Sequence, residues 1–206
     1  MISGFLVKKG LMTSVYTPDG KRIAVTKCIA KPLKVTQIKT TDKDGYQSIQ
    51  VAGGSKKRIN KATTGKMVKL SLDIKPSFFK EFKLVSDQIP TIGDEIAIES
   101  VFNNGDIVDI TGTSKGRGFA GVVKRHGFKK QPLLGASNYV RRPGSIGAQT
   151  PGKVVKGKKM PGHFGVDTVT VSSLEIISIN PETKEILIKG SIPGSFNSWI
   201  TLKKRN

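Results

Sequence analysis

The sequence predicts a mainly β protein, a barrel or sandwich, interrupted by one long basic segment. Short runs rich in Val, Ile, Thr and aromatic residues recur along the chain and are separated by tight-turn signals. Between Gly112 and Gly165 the character changes: 54 residues hold twelve Lys and Arg side chains, twelve glycines, four prolines and no carboxylate. Like charges repel and glycines lose much entropy on ordering, so this stretch is no conventional packed core. A polyanion that neutralises and orders it is the natural partner.

The elements follow in order. Phe5–Tyr16 and Arg22–Ile29 read as strands around the turn Pro18-Asp19-Gly20. Leu33, Val35 and Ile38 lie in a run ending at Thr41, and the turn Asp42-Lys43-Asp44-Gly45 leads to Tyr46, Ile49 and Val51. Gly53 to Lys66 reads as a basic polar loop, and Met67–Leu72 as a strand. Phe78, Phe79, Phe82 and Leu84 fit either another strand or a short turn of helix. Ile96 and Ile98 alternate with polar neighbours in Glu95–Phe102, and Asn103-Asn104-Gly105 predicts a hairpin into Asp106–Thr111. Within the basic segment, Phe119, Val122 and Val123 have the spacing of a short amphipathic helix, with Lys124 and Arg125 on its exposed side. The rest, through Pro132, Pro143, Pro151 and Pro161, reads as extended or looped. Strand signals return at Val169, Val171, Leu174, Ile176 and Ile179, then at Glu185–Lys189 and near Trp199–Leu202. The two flanks form one body.

Charge narrows the function. The 206 residues carry a formal net charge of +20. Residues 1–111 supply +7 (18 basic less 11 acidic), residues 166–206 supply +1 (five less four), and the middle supplies +12. A nucleic acid accounts for such an excess. No apolar run reaches the roughly 18–20 residues of a membrane span, and no long helix joins an apolar stripe to a basic face. Lys8 and Lys9 follow a short apolar run rather than precede it, the reverse of an export signal, so a cytoplasmic location is expected. Lone Cys28 allows neither a disulfide framework nor a cysteine zinc cluster.

No enzymatic constellation emerges. Gly116-Arg117-Gly118-Phe119-Ala120-Gly121 fits a dinucleotide-type glycine pattern and, with Val123, a kinase-type loop. A dinucleotide site needs an acidic residue about 20 positions on, and none stands between Asp109 and Asp167. A kinase needs catalytic and metal-binding aspartates in their own motifs, which are missing. The glycines therefore read as places where backbone approaches phosphate or packs tightly. His126 and His163 lack carboxylate partners in sequence and read as hydrogen-bonding or stacking groups, not metal ligands. Asp42, Asp44 and Gly45 lack the spacing and terminal Glu of a calcium loop. No cofactor, metal, small-molecule substrate or catalytic residue is expected.

The cations are the candidate site. They are Lys115, Arg117, Lys124, Arg125, Lys129, Lys130, Arg141, Arg142, Lys153, Lys156, Lys158 and Lys159, with His126 and His163 beside them. Arginine forks and lysine point charges both pair with phosphate oxygens. Phe128, Tyr139 and Phe164 suit either base stacking or packing within the segment. Lys8, Lys9, Lys56, Lys57 and Arg58 are additional basic candidates, though each short cluster also fits a solvated face.

The run from Val108 through Gly112-Thr113-Ser114-Lys115-Gly116-Arg117-Gly118-Phe119-Ala120-Gly121 to Arg125 resembles the signature of the family of protein three of the large ribosomal subunit. So do Pro143-Gly144-Ser145-Ile146-Gly147, Thr150-Pro151-Gly152-Lys153-Val154 and Lys156-Gly157-Lys158-Lys159-Met160-Pro161-Gly162-His163. Lys8-Lys9, Met12-Thr13, Asp19-Gly20, Gly45–Val51 and Val169-Thr170-Val171 extend the likeness over nearly the whole chain. The resemblance implies a closed β-barrel body at 1–111 and 166–206, a small inserted subdomain around 53–92, and a long extended basic arm at 112–165 rooted in a short helix. It implies a non-catalytic constituent of the large subunit, bound near the 3′ end of the large-subunit (23S-type) rRNA and needed early in assembly. The arm would reach toward the peptidyl-transferase region, with Gly112–Arg125 at its base, Arg141–Lys153, including Gln149, near its tip, and Lys156–His163 on its return. Proteins fourteen and nineteen of the subunit are the implied neighbours. Two departures stand out: Leu11 separates Gly10 from Met12-Thr13, and only Ala148 and Gln149 separate Gly147 from Thr150. No modification of Gln149 is inferred. Composition alone would equally suit a general nucleic-acid-binding chaperone.

Overall fold

The computed structural model describes residues 2–85, 89–132, 138–150 and 152–205. Pro151 of the expected motif, and positions 133–137 of the expected arm, lie outside the described residues. The chain divides into two compact units, one formed by Met1–Thr113 with Thr168–Asn206 and the other by Ser114–Asp167. In chain order the strands are β1 (Gly4–Tyr16), β2 (Arg22–Ile29), β3 (Leu33–Lys39), β4 (Ser48–Gly53), β5 (Phe78–Lys83), β6 (Glu95–Ile96), β7 (Ile107–Thr113), β8 (Phe119–Ala120), β9 (Gly162–His163), β10 (Thr168–Asn180), β11 (Glu185–Lys189) and β12 (Trp199–Lys204). The helices are α1 (Thr41–Asp44), α2 (Lys61–Lys69) and α3 (Val122–His126).

In the first unit β1, β12, β7, β10, β11 and β2 pair antiparallel in that cyclic order, and β2 returns to β1, so the sheet closes into a barrel. Closure leaves the paired parts of these strands without unsatisfied edges. The alternation read from sequence is visible in burial. Val108 and Ile110 of β7, Ile186 and Ile188 of β11, and Ile200 and Leu202 of β12 all point into the core. Each such side chain contributes roughly 1.5–3 kcal/mol by leaving water. The β1–β2 turn is closed by Gly20 N–H donating to Thr17 O at 2.9 Å. Leu11, which separates Gly10 from Met12-Thr13, lies in a bulge: pairing skips from Lys9↔Cys28 to Met12↔Thr26.

A second sheet, ordered β5-β4-β3-β6, shares the barrel's hydrophobic core. Leu33, Val35, Ile49, Val51 and Phe82 join Phe5, Val7 and the barrel isoleucines in one cluster. The sheets are stitched at the start of the chain, where Ser3 N–H donates to Lys83 O at 2.9 Å and Ile2 bridges Leu84. Of the segment around 53–92, β5 lies in this sheet and α2 stands between β4 and β5 in the chain.

Three local expectations are corrected. The loop expected to Lys66 and the strand expected over Met67–Leu72 are one helix, α2, preceded by a shorter loop. Asn60 starts it by accepting from Thr63 N–H at 2.9 Å, and Met67 alone buries itself. The Asp42–Asp44 turn is a single helical turn, ended by Gly45 in the left-handed region. Glu95–Thr111 is not a hairpin. β6 pairs with β3, Ile98–Ser100 forms a 3-10 turn, and β7 pairs with β10 and β12. The Asn103–Asp106 turn is real, but the Asp106 carboxylate fastens it, accepting from Asn103 N–H at 2.9 Å and from Lys204 Nζ at 2.8 Å. Those bonds, Lys204 first, hold the Asp106 carboxyl below the usual range.

Two predictions follow from this core. A Cβ on Gly4 would stand 2.3 Å from Leu202 O, so Gly4→Ala must separate β1 from β12. It is expected to lower unfolding free energy by about 1–3 kcal/mol in urea titrations, with Ser3→Ala close to wild type. Burial pushes the Cys28 thiol from 9.0 up to about 12, against smaller opposing effects of Gly10 N–H and Lys9. The folded state therefore keeps this thiol neutral where the unfolded chain ionises it. Its contribution is complete below the unfolded value and is lost as pH climbs toward the folded one. The urea midpoint of the wild type should fall toward that of Cys28→Ala as pH rises past about 9.

Candidate nucleic-acid interface

The last rung of β7 and the first rung of β10 pair Thr113 with Thr168. Inside the second unit the two limbs stay paired. Ser114 N–H donates to Asp167 O at 2.8 Å, Arg117 N–H to Phe164 O at 2.8 Å, and Phe164 N–H to Gly118 O at 2.9 Å. Phe119 and Ala120 of β8 then face His163 and Gly162 of β9. Gly165 permits this closeness. Its φ is +83°, and a Cβ there would lie 2.2 Å from Lys115 O.

Beyond β8, α3 opens after Gly121, buries Val122 and ends at Gly127 in the left-handed region. Arg125 is not on an exposed side. It is half-buried, and its Nη1 donates to Met160 O at 2.8 Å, while His126 Nε2 lies 3.0 Å from the same oxygen. These two side chains of the outgoing limb thus hold the returning one. Phe119 is not on the helix at all. Glycines at 118 and 121 leave room only for a two-residue strand, and the ring is 79% exposed. Sequence reasoning missed this aromatic as a surface group. The bracketing glycines, with Gly118 at φ +64°, are the signal that breaks the helical register before Val122.

Among the described residues between Gly127 and Gly162 there is no helix or strand. Turns shape the chain instead, as where Arg142 N–H donates to Tyr139 O at 3.0 Å. The Arg142 guanidinium lies 4.5 Å from the Tyr139 ring centre, and that of Arg117 lies 5.3 Å from Phe164. These aromatics carry arginines, which leaves Phe119 as the more open ring.

Lys115, Arg117, Lys124, Lys129, Lys130, Arg141, Arg142, Gln149, Lys153, Lys156, Lys158, Lys159 and His163 are exposed, and Arg125 and His126 are half-buried. The ion pairs found among the described residues all lie in the first unit. The exposed cations of the second unit thus face solvent without a carboxylate to neutralise them. Of the additional candidates, Lys56, Lys57 and Arg58 are exposed on the loop after β4. Lys8 Nζ lies 4.9 Å from the Trp199 ring centre. Beside the bulge, Lys9 Nζ donates to Ile192 O at 2.6 Å and Gly194 O at 2.8 Å, so it fastens the loop before β12. Among the described residues no group of three or more His, Cys, Asp or Glu side chains could hold a metal, and no helix is long and apolar enough to cross a membrane. Among its described residues the second unit can present many cations outside ion pairs, open backbone turns and the exposed rings of Phe119 and Tyr139.

Two comparisons bear on this surface. Residues 26–186 match the family described as Ribosomal protein L3. Large ribosomal subunit protein uL3 of Streptococcus uberis is 44% identical over 205 residues, which cover 98% of this chain and 97% of that protein.

Gly165→Ala sets a side chain in the left-handed region against the Lys115 carbonyl. Amide exchange at Arg117 and Phe164 is expected to quicken by about tenfold or more, equivalent to ~1.4 kcal/mol of local stability. Exchange in the β11 core should stay unchanged.

Proposed function

The chain belongs to the ribosomal protein L3 family, and from that premise we propose that it is a structural constituent of the large ribosomal subunit that holds large-subunit rRNA through its basic unit. One observation carries the reading: the second unit exposes its cations with no carboxylate between Asp109 and Asp167 to meet them. Phosphates are the counter-charge such a surface lacks, and each one neutralised releases condensed counterions. The chain works in translation as part of the cytoplasmic ribosome.

The finer reading draws on the family. The paired limbs at 114–120 and 162–167 serve as the base of an arm that enters folded rRNA near its 3′ end during early assembly. Arg141–Lys153 lies toward the tip, facing the peptidyl-transferase region. Arg117 and Arg142, already poised over rings, offer guanidinium edges to phosphate, and Phe119 offers a face to a base. Proteins fourteen and nineteen of the subunit are its neighbours. The chain supplies position and charge and no catalytic group.

Binding to a large-subunit rRNA transcript across 50–200 mM salt tests this. Arg141→Ala and Lys158→Ala should each lower the salt slope by about one phosphate. Phe119→Ala should weaken binding by about 1–3 kcal/mol and leave the slope unchanged, because stacking releases no counterions. Equal affinity of the wild type for unrelated RNA at physiological salt would instead identify a general nucleic-acid chaperone.

A further inference from the structure

We infer that Arg125 is a positioning residue for RNA binding and not a phosphate ligand. Its guanidinium, seated against Gly162 and bonded to the Met160 carbonyl, clamps the outgoing limb of the basic unit to the returning one. The inference deepens the ribosomal reading and rests on it for the identity of the polyanion.

Twelve Lys and Arg side chains lie between Gly112 and Gly165, and Arg125 is the one among them that is not exposed. Its Nη1 donates to Met160 O at 2.8 Å, a charge-assisted bond. His126 Nε2 stands 3.0 Å from the same oxygen. A carbonyl oxygen only accepts and has two lone pairs, so it takes both donors, with the hydrogen on Nε2. Two neighbouring side chains thus converge on one atom far along the chain. They start from a fixed turn: Arg125 N–H donates to Gly121 O at 2.9 Å and Gly127 N–H to Val123 O at 3.1 Å, around buried Val122.

Space supports the same fit. A Cβ on Gly162 would lie 2.7 Å from Arg125 Nη1 and 3.1 Å from Cζ. Gly162 is not in the left-handed region, so its missing side chain makes room for the guanidinium and answers no demand of its own backbone. Eight of the twelve cations lie between Arg125 and Met160. Among the described residues from Gly127 to Met160 no helix or strand holds them. The clamp carries the pairing of β8 with β9 further out along both limbs, toward these cations. Joining the ends of a long segment beforehand removes entropy that RNA binding would otherwise have to overcome.

The test uses the full chain. Without RNA, Arg125→Ala and Gly162→Ala should each raise deuterium uptake across residues 158–164 several-fold, with the β11 core unchanged. Lys124→Ala should keep wild-type uptake. Unchanged uptake in the first two variants overturns the proposal. With a large-subunit rRNA transcript across 50–200 mM salt, Arg125→Ala should weaken binding by about tenfold and keep the salt slope. A slope lower by about 0.7–0.9 would make Arg125 a phosphate ligand and overturn the proposal. Gly162→Ala changes no charge and should weaken binding to a similar extent. In the Arg125→Ala background it should cost nothing further, because the new methyl then has room. Losses that multiply in the double variant overturn the clamp. Arg141→Gln/Lys158→Gln reports the basic unit separately: an intact slope there fails the reading of that unit, while uptake in the free protein still decides the clamp.

Discussion

The pairing of β7 with β10 is the constraint on which the rest depends. It sets Thr113 opposite Thr168, and within the second unit Ser114 is bonded to Asp167 and Arg117 to Phe164. A free loop of this length costs entropy to close, and its like charges raise that cost. Here the two ends of the inserted segment meet at Thr113 and Thr168, on a strand pair that the barrel core already holds. Val108 and Ile110 keep β7 in place, and Ile176 does the same for β10.

The same economy governs charge. Five carboxylates of the first unit sit beside lysines, and hydrogen bonds from those lysines are the leading cause that keeps Glu81, Asp106 and Glu185 acidic. These exposed pairs contribute little stability each. Their effect is on the charge pattern. They offset part of the charge on the barrel and its second sheet, while among the described residues from Ser114 to Val166 no ion pair is found.

Much of the barrel was legible because period-two alternation over Glu185–Lys189 or Trp199–Leu202 has one physical solution, a strand with one buried face. The failures share a cause. Met67–Leu72 has strand-like composition, yet Asn60 four residues before Thr64 starts a helix that a local count of apolar residues does not register. Asn103-Asn104-Gly105 makes its turn, but strand partners are chosen by the whole core, which sends β6 and β7 to different sheets. At the site, composition located the cations. It did not show that Arg125 and Lys9 would turn toward carbonyls, because those acceptors, Met160 and Ile192, are distant in sequence.

The rung between Thr113 and Thr168 also bears on how such a chain changes over generations. An insertion held between two adjacent strand ends can gain or lose residues without shifting the register of any barrel strand. The length of the inserted segment and the stability of the body are thereby separable traits. The first can vary while the second stays under the constraint that packing imposes.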